Sequence, residues 1–584
     1  MKRCPACKRV EPDDALTFCR ADGTILISES GSVGANAGTM KFALSPVANE
    51  AETSVLPQHP TDASVSRATG STTVLDRQQT ISRTSELSPS KRRRAWVLSI
   101  GVLVVIALAA SVYLYLSRAK NTASKNSIAV LPLVNASNDP NTEYLSDGIS
   151  DALINSLTEL QQLRVIARST AFRYKGKDVD PQTIGRELNV QTVLMGRVRQ
   201  LGDTLNIQVD LVDATTGAQL WGTEYERKLS DVLSIKQTIA HEVMDKLRLK
   251  LSGAEQQRLT KRDTTNAEAY QFYLRGRFYW NKRTPEGLKK AIEQFQQAVD
   301  KDPSYALAYA GLADAYSTLP GYTATPANEV VQKASAAAAR AIELDPDMAE
   351  AHASLAGTMM NFNSDPAVAE KELQRAIELN PNYPTAHHWY ALLLANLGRI
   401  DEAKREIWRA QQLDPLSLII NRTVGNVFFW AREYDQALEQ FKKTLEIDPN
   451  FPPAHEDIAV IYGMKGRYEE AAQEINKAIA LNGRMPHYVA ALGCIDANSG
   501  HKDEAQKMLK ELLAREQTEY VSSSDIALVY AALGDKEKAF ARLEEAITKG
   551  VHRTNVNLKV GPAWDSLRSD PRFAELLRRA GLPQ

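Results

Sequence analysis

Four potential metal ligands lie close together at the start of the chain. They form the pattern C-x2-C followed, eleven residues later, by C-x2-D, and they are Cys4, Cys7, Cys19 and Asp22. Three thiolates and one carboxylate can complete the tetrahedral shell that Zn²⁺ prefers. The segment offers no general base for a catalytic zinc, so the spacing predicts a structural zinc site. The alternative is an unstructured tail with reactive thiols.

Residues 1–27 resemble the short zinc-ribbon heads of some bacterial membrane proteins. In that pattern the fourth ligand is a cysteine, and Asp22 stands in its place in this sequence. So short a segment cannot bury a core, so metal binding, about 10–16 kcal/mol in comparable peptides, would supply its folding free energy. Reduced thiols are typical of the cytoplasm, which is where we expect this head.

Other patterns argue against an enzyme. The chain of 584 residues contains no nucleophile–base–acid set, and Lys175 and Lys177 flank Gly176 without the rest of a phosphate-binding loop. The carboxylates Glu143, Asp147 and Asp151 stand near a predicted helix start, where the helix dipole favours negative charge. The lone Cys494 lies in an apolar helix and is expected to be a small core residue. We therefore predict a non-catalytic protein.

An uncharged apolar run, residues 95–117, predicts a single transmembrane helix. At about 1.5 Å per residue it reaches roughly 35 Å, enough to cross a hydrocarbon core of about 30 Å. The cations of residues 91–94 precede it, and positive residues stay on the cytoplasmic side. The N-terminus is therefore expected in the cytoplasm and the later domains outside it, in what we expect to be a bacterial inner membrane.

The charge balance limits the classes of partner. The formal net charge is -1, and the one dense basic cluster, residues 91–94, is explained by the membrane. Nucleic-acid binding needs clustered cations, so this class is not favoured. Residues 28–90 are rich in Ser and Thr and show no sustained period, which predicts a disordered linker.

Residues 126–252 predict an α/β module. A buried strand at SIAVLPLVNAS precedes a helical pattern, and LRVIARS and VQTVLMGRVRQ read as further strands. TLNIQVDLVDA alternates apolar and polar residues, and a short polar turn joins it to QLWGTEYERKL as a hairpin. The order β-α-β-α-β-β-β-α implies a mixed sheet with helices on one face.

These same stretches resemble the TolB-N-terminal-like module, which often precedes tetratricopeptide repeats in large bacterial membrane proteins. The resemblance runs in order through IAVLPLVNASNDPNTEYLSDGISDALINSL, LRVIARSTAFRYKGK, IGRELNVQTVLMGRVRQ and DATTGAQLWGTEYER. It implies a non-catalytic module that binds protein. Relatives of this architecture carry a kinase, a cyclase or a winged-helix head, and we find none of these heads in the sequence.

Residues 264–548 repeat with a period near 34. Prolines that end helices mark this period, at Pro303, Pro346, Pro381, Pro415 and Pro449. A small alanine and a bulky residue stand at fixed offsets before most of them. The pattern resembles the tetratricopeptide repeat and predicts an all-α solenoid of about eight helix pairs. Residues 549–584 break the pattern and are interpreted as a cap, in which Trp564, Leu567, Phe573 and Leu577 cover the last repeat.

The first helices of the repeats are expected to line an inner face that binds protein or peptide. His387 and His388 are adjacent and point to different sides, so they do not form a metal pair. The candidate partner-binding residues are Tyr270, Tyr273, Arg277, Asn281, Tyr309, His352, His387, Asn421, Arg422 and Asn426.

The sequence therefore predicts a multidomain protein: a small zinc ribbon, one transmembrane helix, a mixed-sheet α/β module and an all-α tetratricopeptide-repeat solenoid. The leading hypothesis is a membrane-anchored adaptor or scaffold for envelope assembly or transmembrane signalling, with no small-molecule substrate and with self-association as a means of signalling. The alternative is a regulatory component acting with a separate adenylate cyclase, protein kinase or transcription regulator.

Overall fold

The computed structural model describes the side chains and backbone of most of the chain after residue 125. The described ranges are 126–137, 139–249, 251–253, 255–256, 264–321, 323, 327–361, 366–548 and 558–583, together with the backbone of residues 2–3, 10–11 and 27–28. The predicted transmembrane segment 95–117, the linker after Ser28 and the four predicted zinc ligands lie outside the described residues. Within the described ranges, no helix has both the length and the hydropathy needed to cross a bilayer.

The described residues of the N-terminal unit form three short strands. β1 (Lys2–Arg3) lies between β2 (Val10–Glu11) and β3 (Ile27–Ser28). Both pairings are antiparallel.

The α/β module contains one mixed sheet, as the sequence predicts. Its strands are β4 (Ser127–Val130), β5 (Val134–Asn135), β6 (Arg164–Val165), β7 (Thr192–Leu201), β8 (Thr204–Asp213) and β9 (Gln219–Lys228). The order is β6-β4-β7-β8-β9, and β5 also pairs with β7. The pairs among β4, β5, β6 and β7 are parallel, whereas β7-β8 and β8-β9 are antiparallel.

Local sequence explains the form of β8 and the break between β4 and β5. In β8 the side chains of Leu205, Ile207, Val209 and Leu211 are fully buried and alternate with partly exposed polar residues, as expected for a strand covered on one face. The first predicted strand is two strands instead of one, because Pro132 interrupts it and has no N–H to give to a ladder.

Between residues 139 and 249, which the structure describes in full, four α-helices complete the module. They are α1 (Glu143–Thr158), α2 (Arg168–Ala171), α3 (Pro181–Leu188) and α4 (Val232–Lys246). Asp180 caps α3 by accepting a hydrogen bond from the Thr183 N–H, and Pro181 takes the first helical position. The sequence analysis did not anticipate α2, which directly follows the short strand β6.

Eight helix pairs follow, so the solenoid architecture is confirmed. The first helix of each pair is called helix A and the second helix B. The pairs are α5 (Ala267–Trp280) and α6 (Pro285–Lys301), α7 (Ala306–Thr318) and α8 (Ala327–Leu344), α9 (Ala349–Asn361) and α10 (Pro366–Leu379), α11 (Pro384–Asn396) and α12 (Ile400–Leu413), α13 (Leu418–Trp430) and α14 (Tyr434–Ile447), α15 (Pro452–Met464) and α16 (Tyr468–Asn482), α17 (Pro486–Asn498) and α18 (Lys502–Arg515), and α19 (Ser523–Leu533) and α20 (Lys536–Thr548).

Small and bulky residues at fixed offsets hold each pair together. In the first pair Phe295 is fully buried, and a Cβ atom added to Gly276 or Gly311 would lie 2.5 or 2.6 Å from its ring. Helices A of two neighbouring repeats thus approach one aromatic ring from two sides. The alanines at the close approaches, such as Ala291 and Ala403, are also fully buried.

The turn between helix A and helix B has a left-handed residue at a repeating position. It is glycine in four repeats, with φ of 82° at Gly398 and 72° at Gly466, where the absence of Cβ makes this conformation inexpensive. In the fifth repeat the same position is Arg432, with φ of 66°.

The C-terminal residues pack on the last repeat. Helix α21 spans Pro571–Arg579, and the buried side chains of Trp564, Leu567, Phe573 and Leu577 join Phe540 and Leu543 in one apolar cluster.

Candidate functional site

The ten candidate partner-binding residues are all at least partly buried. Tyr270, Tyr273, His352, His387 and Asn421 are buried, and the other five are half-buried. Most of them form hydrogen bonds or ion pairs with other residues of the chain. Two intramolecular arrangements contain these residues, and a third lies beside them where the module meets the array.

The first arrangement joins helix α5 to helix α1 of the α/β module. The Arg277 Nε lies 3.1 Å from Asp151 Oδ2, and the Arg168 Nε lies 3.6 Å from Asp151 Oδ1. Burial alone would lower the pKa of Arg277, but the Asp151 carboxylate raises it, so this guanidinium stays charged. Tyr270 and Tyr273 stack beside it, with ring centroids 6.4 Å apart.

The other helix α1 carboxylates also form ion pairs. Lys175 Nζ lies 2.5 Å from both Glu143 and Asp147. Burial raises the pKa of Glu143, but hydrogen bonds from Lys175 and Asn135 outweigh it and leave that pKa below its usual value. These residues are therefore tied to Lys175 rather than being simply solvated at a helix start.

A cavity of about 490 Å³ lies at the junction between helix α1 and the first repeats. Its walls include Asn155 and Glu159 of the module and Asp345, Glu350 and Asn380 of the repeats. Junctions between domains are common places for ligand sites, but here Asp151 is paired with Arg277, and Glu159, Asp345 and Glu350 also have interactions within the chain.

The second arrangement is a histidine clamp that recurs along the array. In each case one ring nitrogen of the histidine faces a glutamate of helix B and the other faces the carbonyl oxygen of the helix-ending proline six residues earlier. The distances are 2.5 and 3.0 Å for His352 with Glu372 and Pro346, 2.6 and 3.1 Å for His387 with Glu406 and Pro381, and 2.6 and 3.0 Å for His455 with Glu474 and Pro449.

The fifth repeat builds the same clamp from amides. Asn421 Nδ2 donates to the Pro415 carbonyl at 2.8 Å, and Gln440 Nε2 donates to Asn421 Oδ1 at 3.1 Å. The four helix B partners, Glu372, Glu406, Gln440 and Glu474, are each 34 residues apart. The clamp therefore fixes the loop that leads into each of these helices A.

His388 and Arg422 connect neighbouring helices A. His388 Nε2 lies 3.0 Å from Thr423 Oγ1, and burial lowers the pKa of His388 to about 4, so this ring is neutral at pH 7. Arg422 forms an ion pair with Asp457, with Nε 2.5 Å from the carboxylate. These contacts hold successive repeats in register.

The third arrangement is where the module docks on the array. We call the inter-repeat loops 380–383, 414–417 and 448–451 the loop edge. Thr170 Oγ1 donates to Asp414 Oδ1 at 2.6 Å and accepts from the Leu416 N–H at 2.8 Å. Asn382 Nδ2 donates to the carbonyls of Leu160 and Leu163 at 3.2 and 3.3 Å.

Further bonds extend this docking to the ends of helices B. Arg164 donates to the Gln412 carbonyl at 3.1 Å, and Arg173 donates to the Ile447 carbonyl. The clamped loops of the middle repeats therefore bind the chain's own module.

The C-terminal residues cover the opposite edge. We call the turns 397–399 and 431–433, with the start of α10 at Pro366, the turn edge. Arg432 donates to the Val560 carbonyl at 2.6 Å and to Asp565 at 2.8 Å. An added Cβ atom at Gly398 would lie 3.0 Å from the Lys559 side chain, and one at Gly581 would lie 3.9 Å from Pro366.

Sequence reasoning missed His455 and the clamp as a whole. A signal was available, because histidine or asparagine follows four of the helix-ending prolines by six residues and Glu or Gln recurs every 34 residues on helix B. Nothing in the sequence signalled that residues 558–583 reach back to the turn edge.

Metal and thiol chemistry does not emerge in the part of the chain that the structure describes. No group of three or more His, Cys, Asp or Glu residues there could hold a metal ion. Cys494 is partly buried beside an apolar cluster, and burial raises the pKa of its thiol to about 12.

Family models match both parts of this architecture. Residues 124–242 match the second domain of the HilA/YgeH-like transcriptional regulators, and residues 372–405 and 431–493 match tetratricopeptide-repeat models. The tetratricopeptide-repeat prediction is thereby confirmed.

Two curated relatives are similar over part of their length. The chain is 32% identical over 294 residues to putative adenylate cyclase 3 of Rhizobium meliloti, covering 48% of this chain and 42% of the relative. It is 28% identical over 143 residues to transcriptional regulator HilA of Salmonella typhimurium, covering 24% of this chain and 26% of that protein. The chain thus spans less than half the length of each of these relatives.

Solved structures of low identity also match. A structure described as a functional characterisation of Pseudomonas aeruginosa pilF is 21% identical, with 37% of this chain and 94% of that chain covered and a TM-score of 0.30. The human IFIT1 dimer with PPP-AAAA is 16% identical, with 59% and 77% covered and a TM-score of 0.38.

Proposed function

We propose that this chain is a membrane-anchored adaptor whose repeat array binds a protein or peptide partner. The observation that carries the proposal is the array itself, eight helix pairs with tetratricopeptide-repeat matches at residues 372–405 and 431–493. Such repeats bind proteins through extended surfaces that stacking creates.

The proposed binding surface is the part of the array beyond the module. The module covers the loops of the middle repeats, whereas the next two inter-repeat loops carry exposed apolar side chains. Met485 is 41% exposed and Tyr520 is 52% exposed, and Leu481 at the end of α16 is 43% exposed. If these side chains form one patch, that patch is the candidate contact surface, because contiguous exposed apolar patches mark interaction sites.

A photo-crosslinker at Met485 in the full-length chain would test this surface. We expect crosslinks to a defined protein, and we expect Leu481→Asp to reduce them because it places a charge in an apolar contact. Trp408→Ser is the matched control, since Trp408 is 52% exposed on a helix B of another repeat. Crosslinks from Met485 that Leu481→Asp leaves unchanged would refute the proposal.

The membrane anchor and the zinc head belong to the same proposal. Residues 95–117 would cross the inner membrane once and place the module and array outside the cytoplasm, with self-association as the signal. Cys4, Cys7, Cys19 and Asp22 would hold a structural zinc in the cytoplasm. A tag after Gln584 should be accessible from outside, and Cys4→Ser with Cys7→Ser should remove one zinc per chain; a cytoplasmic tag would invert the proposed topology.

A second candidate function is regulation of a separate cyclase or transcription regulator. It is favoured by the similarity to a putative adenylate cyclase and to HilA. Because one of these relatives is named a putative adenylate cyclase, the absence of catalysis in this chain stays a prediction. Measuring the activity of a separate adenylate cyclase with and without the purified chain distinguishes the two, since the adaptor proposal expects no change.

A further inference from the structure

The cavity between the α/β module and the first repeats is lined by one face of helix α1. Gly148, Ala152, Asn155 and Glu159 follow one another at intervals of three and four residues, which place them on the same side of a helix. The rest of the wall comes mainly from helix α5 and from residues 345–350. The volume of about 490 Å³ lies within the range of small-molecule sites.

Two buried polar side chains of this wall have hydrogen-bonding capacity that the chain does not use. Ser156 is 9% exposed, and its hydroxyl has no hydrogen-bond partner among the described residues. Asn380 is 3% exposed, and its Oδ1 accepts from the Asn382 N–H at 3.0 Å, whereas its Nδ2 donates to no residue in the described ranges. Neither atom is fully enclosed by protein, so each is open to a molecule in the cavity.

Asn155 adds a third group of the same kind. It lies one position before Ser156 on helix α1, is half-buried, and makes no side-chain hydrogen bond within the part of the chain that the structure describes. Polar groups in such surroundings take their partners from water or from a ligand. The three side chains together offer amide and hydroxyl groups, which suit the neutral hydroxyl or amide groups of a ligand.

The charge of the wall favours a cation. Asp151 is paired with Arg277 at 3.1 Å, and Asp347 is paired with Arg375 at 2.9 Å. A positive group is stabilised where carboxylates outnumber cations, whereas a second negative group is repelled. The remaining carboxylates of the wall are Glu159, Asp345 and Glu350, and its remaining cation is Lys236.

The cavity reaches solvent at the start of the third repeat. Asp347, in the loop before helix α9, belongs to the wall, and its side chain is 66% exposed. The neighbouring Met348 and Ala349 are buried and belong to the same wall. A small molecule can therefore enter from this side without separating the module from the array.

We propose that this cavity binds a small amino polyol, that is, an organic cation that also carries hydroxyl groups. The ammonium group is held near Asp345 and Glu350, and the hydroxyl groups bond to Asn155, Ser156 and Asn380. The acidic wall selects an ammonium over a carboxylate, and the unused amide and hydroxyl groups select a polyol over an apolar chain. This site does not depend on which protein the repeat array binds.

The probes are three molecules that share one polyol chain and differ only in the group at one end. They are 1-amino-1-deoxysorbitol, with an ammonium, sorbitol, with a hydroxyl, and gluconate, with a carboxylate. Isothermal titration calorimetry on the full-length chain in detergent should rank their affinities in that order, with at least about a tenfold difference between the first and the last. Equal affinities, or no binding of the amino polyol, would overturn the inference.

Asn155 allows the charge of the site to be changed in both directions, because its side chain has no hydrogen bond within the described residues to lose. Asn155→Asp should tighten binding of the amino polyol about threefold, and Asn155→Lys should weaken it by at least as much. Asn426→Asp is the matched control, since Asn426 is another half-buried asparagine on a helix A and is not part of the cavity wall. It should leave the affinity unchanged.

Thermal midpoints of these chains show whether each variant is folded, and Asn155→Asp decides the matter if Asn155→Lys is not. An affinity that does not respond to Asn155→Asp, or that responds equally to Asn426→Asp, would place the ligand elsewhere and refute the site.

The hydroxyl of Ser156 tests the polyol half of the proposal separately from the charge. Ser156→Ala removes a group that makes no hydrogen bond within the described chain, so its thermal midpoint should stay close to that of the wild type. Binding of both the amino polyol and sorbitol should weaken about fivefold, because each loses one hydrogen bond. Unchanged binding of both would show that Ser156 does not contact the ligand and would refute the proposed pose.

Discussion

The two edges of the repeat array are both covered by the chain itself, but by different chemistry. On the loop edge, Asn382, Asp414 and Thr170 are buried and bond directly to one another's segments. On the turn edge, the Arg432 contact with Asp565 is half-exposed. Breaking a buried hydrogen bond leaves a desolvated group, whereas an exposed group regains water.

The difference indicates that polar contacts contribute more to stability at the loop edge than at the turn edge. The module and the middle repeats form one unit, so a partner cannot use the loop edge there without unfolding it. On the turn edge the contact of Arg432 with Asp565 is solvent-accessible, whereas Val560 beside it is buried. The predictions below test this contrast.

The largest effect should come from the loop edge. Asn382→Ala removes the donor for the Leu160 and Leu163 carbonyls, which remain buried, so we expect a loss of about 2–3 kcal/mol in the free energy of unfolding. Asp565→Ala on the turn edge is the matched comparison and should cost less than about 1 kcal/mol. Denaturant unfolding of both variants measures this, and equal losses would abolish the contrast.

The clamp that prepares the loop edge should behave as a pair. His387→Asn alone leaves Glu406 with a mismatched partner, and we expect a loss of about 1–2 kcal/mol. His387→Asn/Glu406→Gln recreates the amide clamp that Asn421 and Gln440 form in the next repeat, so the second change should recover most of that loss. A double-mutant cycle by denaturant unfolding gives the coupling; additive losses would mean that the clamp is not one unit.

The pH dependence should have opposite signs in the loop edge and the cap. Burial raises the pKa of Asp414 although Ser169 and Thr170 donate to it, so its contribution is most favourable below the unfolded pKa of about 3.9 and falls as the pH rises through the folded value. Asp570 in the cap accepts from Arg572, which lowers its pKa to about 2. Its contribution is present above pH about 3.9 and is lost as the pH falls toward 2.

Thermal midpoints of Asp414→Asn and Asp570→Asn, each compared with the wild type from acid to neutral pH, measure these trends. As the pH rises, the thermal midpoint of the wild type should fall relative to that of Asp414→Asn. It should rise relative to that of Asp570→Asn. The same sign for both would mean that burial does not dominate at Asp414.

The smallest effect on stability should come from Arg432→Gly. Relief of the left-handed backbone offsets the lost contacts, so we expect a change within about 1 kcal/mol. Amide exchange of residues 558–567 should nevertheless accelerate about tenfold, because their anchor is gone. Unchanged exchange by mass spectrometry would show that Arg432 does not hold the segment.

Pattern and spacing predicted the helices and strands better than they predicted which side chains contact one another. The alternation in β8 and the prolines of the array are local signals, and both produced the expected structure. The sequence could not show which face of each helix A is exposed. A tyrosine such as Tyr270 gives the same sequence pattern in a binding groove and in a packed junction between domains. His352 and His387 were predicted as partner-binding residues, whereas the structure shows them bound to Glu372 and Glu406.

The contacts that the sequence did not predict join residues that are far apart along the chain. The zinc and membrane predictions rest on short segments, and they stay predictions. The docking of Thr170 on Asp414 and of Val560 on Arg432 joins distant segments, and a single sequence carries no periodic signal for such contacts.

The loop edge also has a consequence for biosynthesis. Thr170 and Asp414 are 244 residues apart, so at roughly 5–20 residues per second the ribosome needs on the order of 10–50 s to make the second after the first. During that interval the polar groups around Thr170 have no docking partner from the array. The α/β module therefore completes its contacts with the array only after the fifth repeat, which supplies the Ile447 carbonyl to Arg173, has been synthesised.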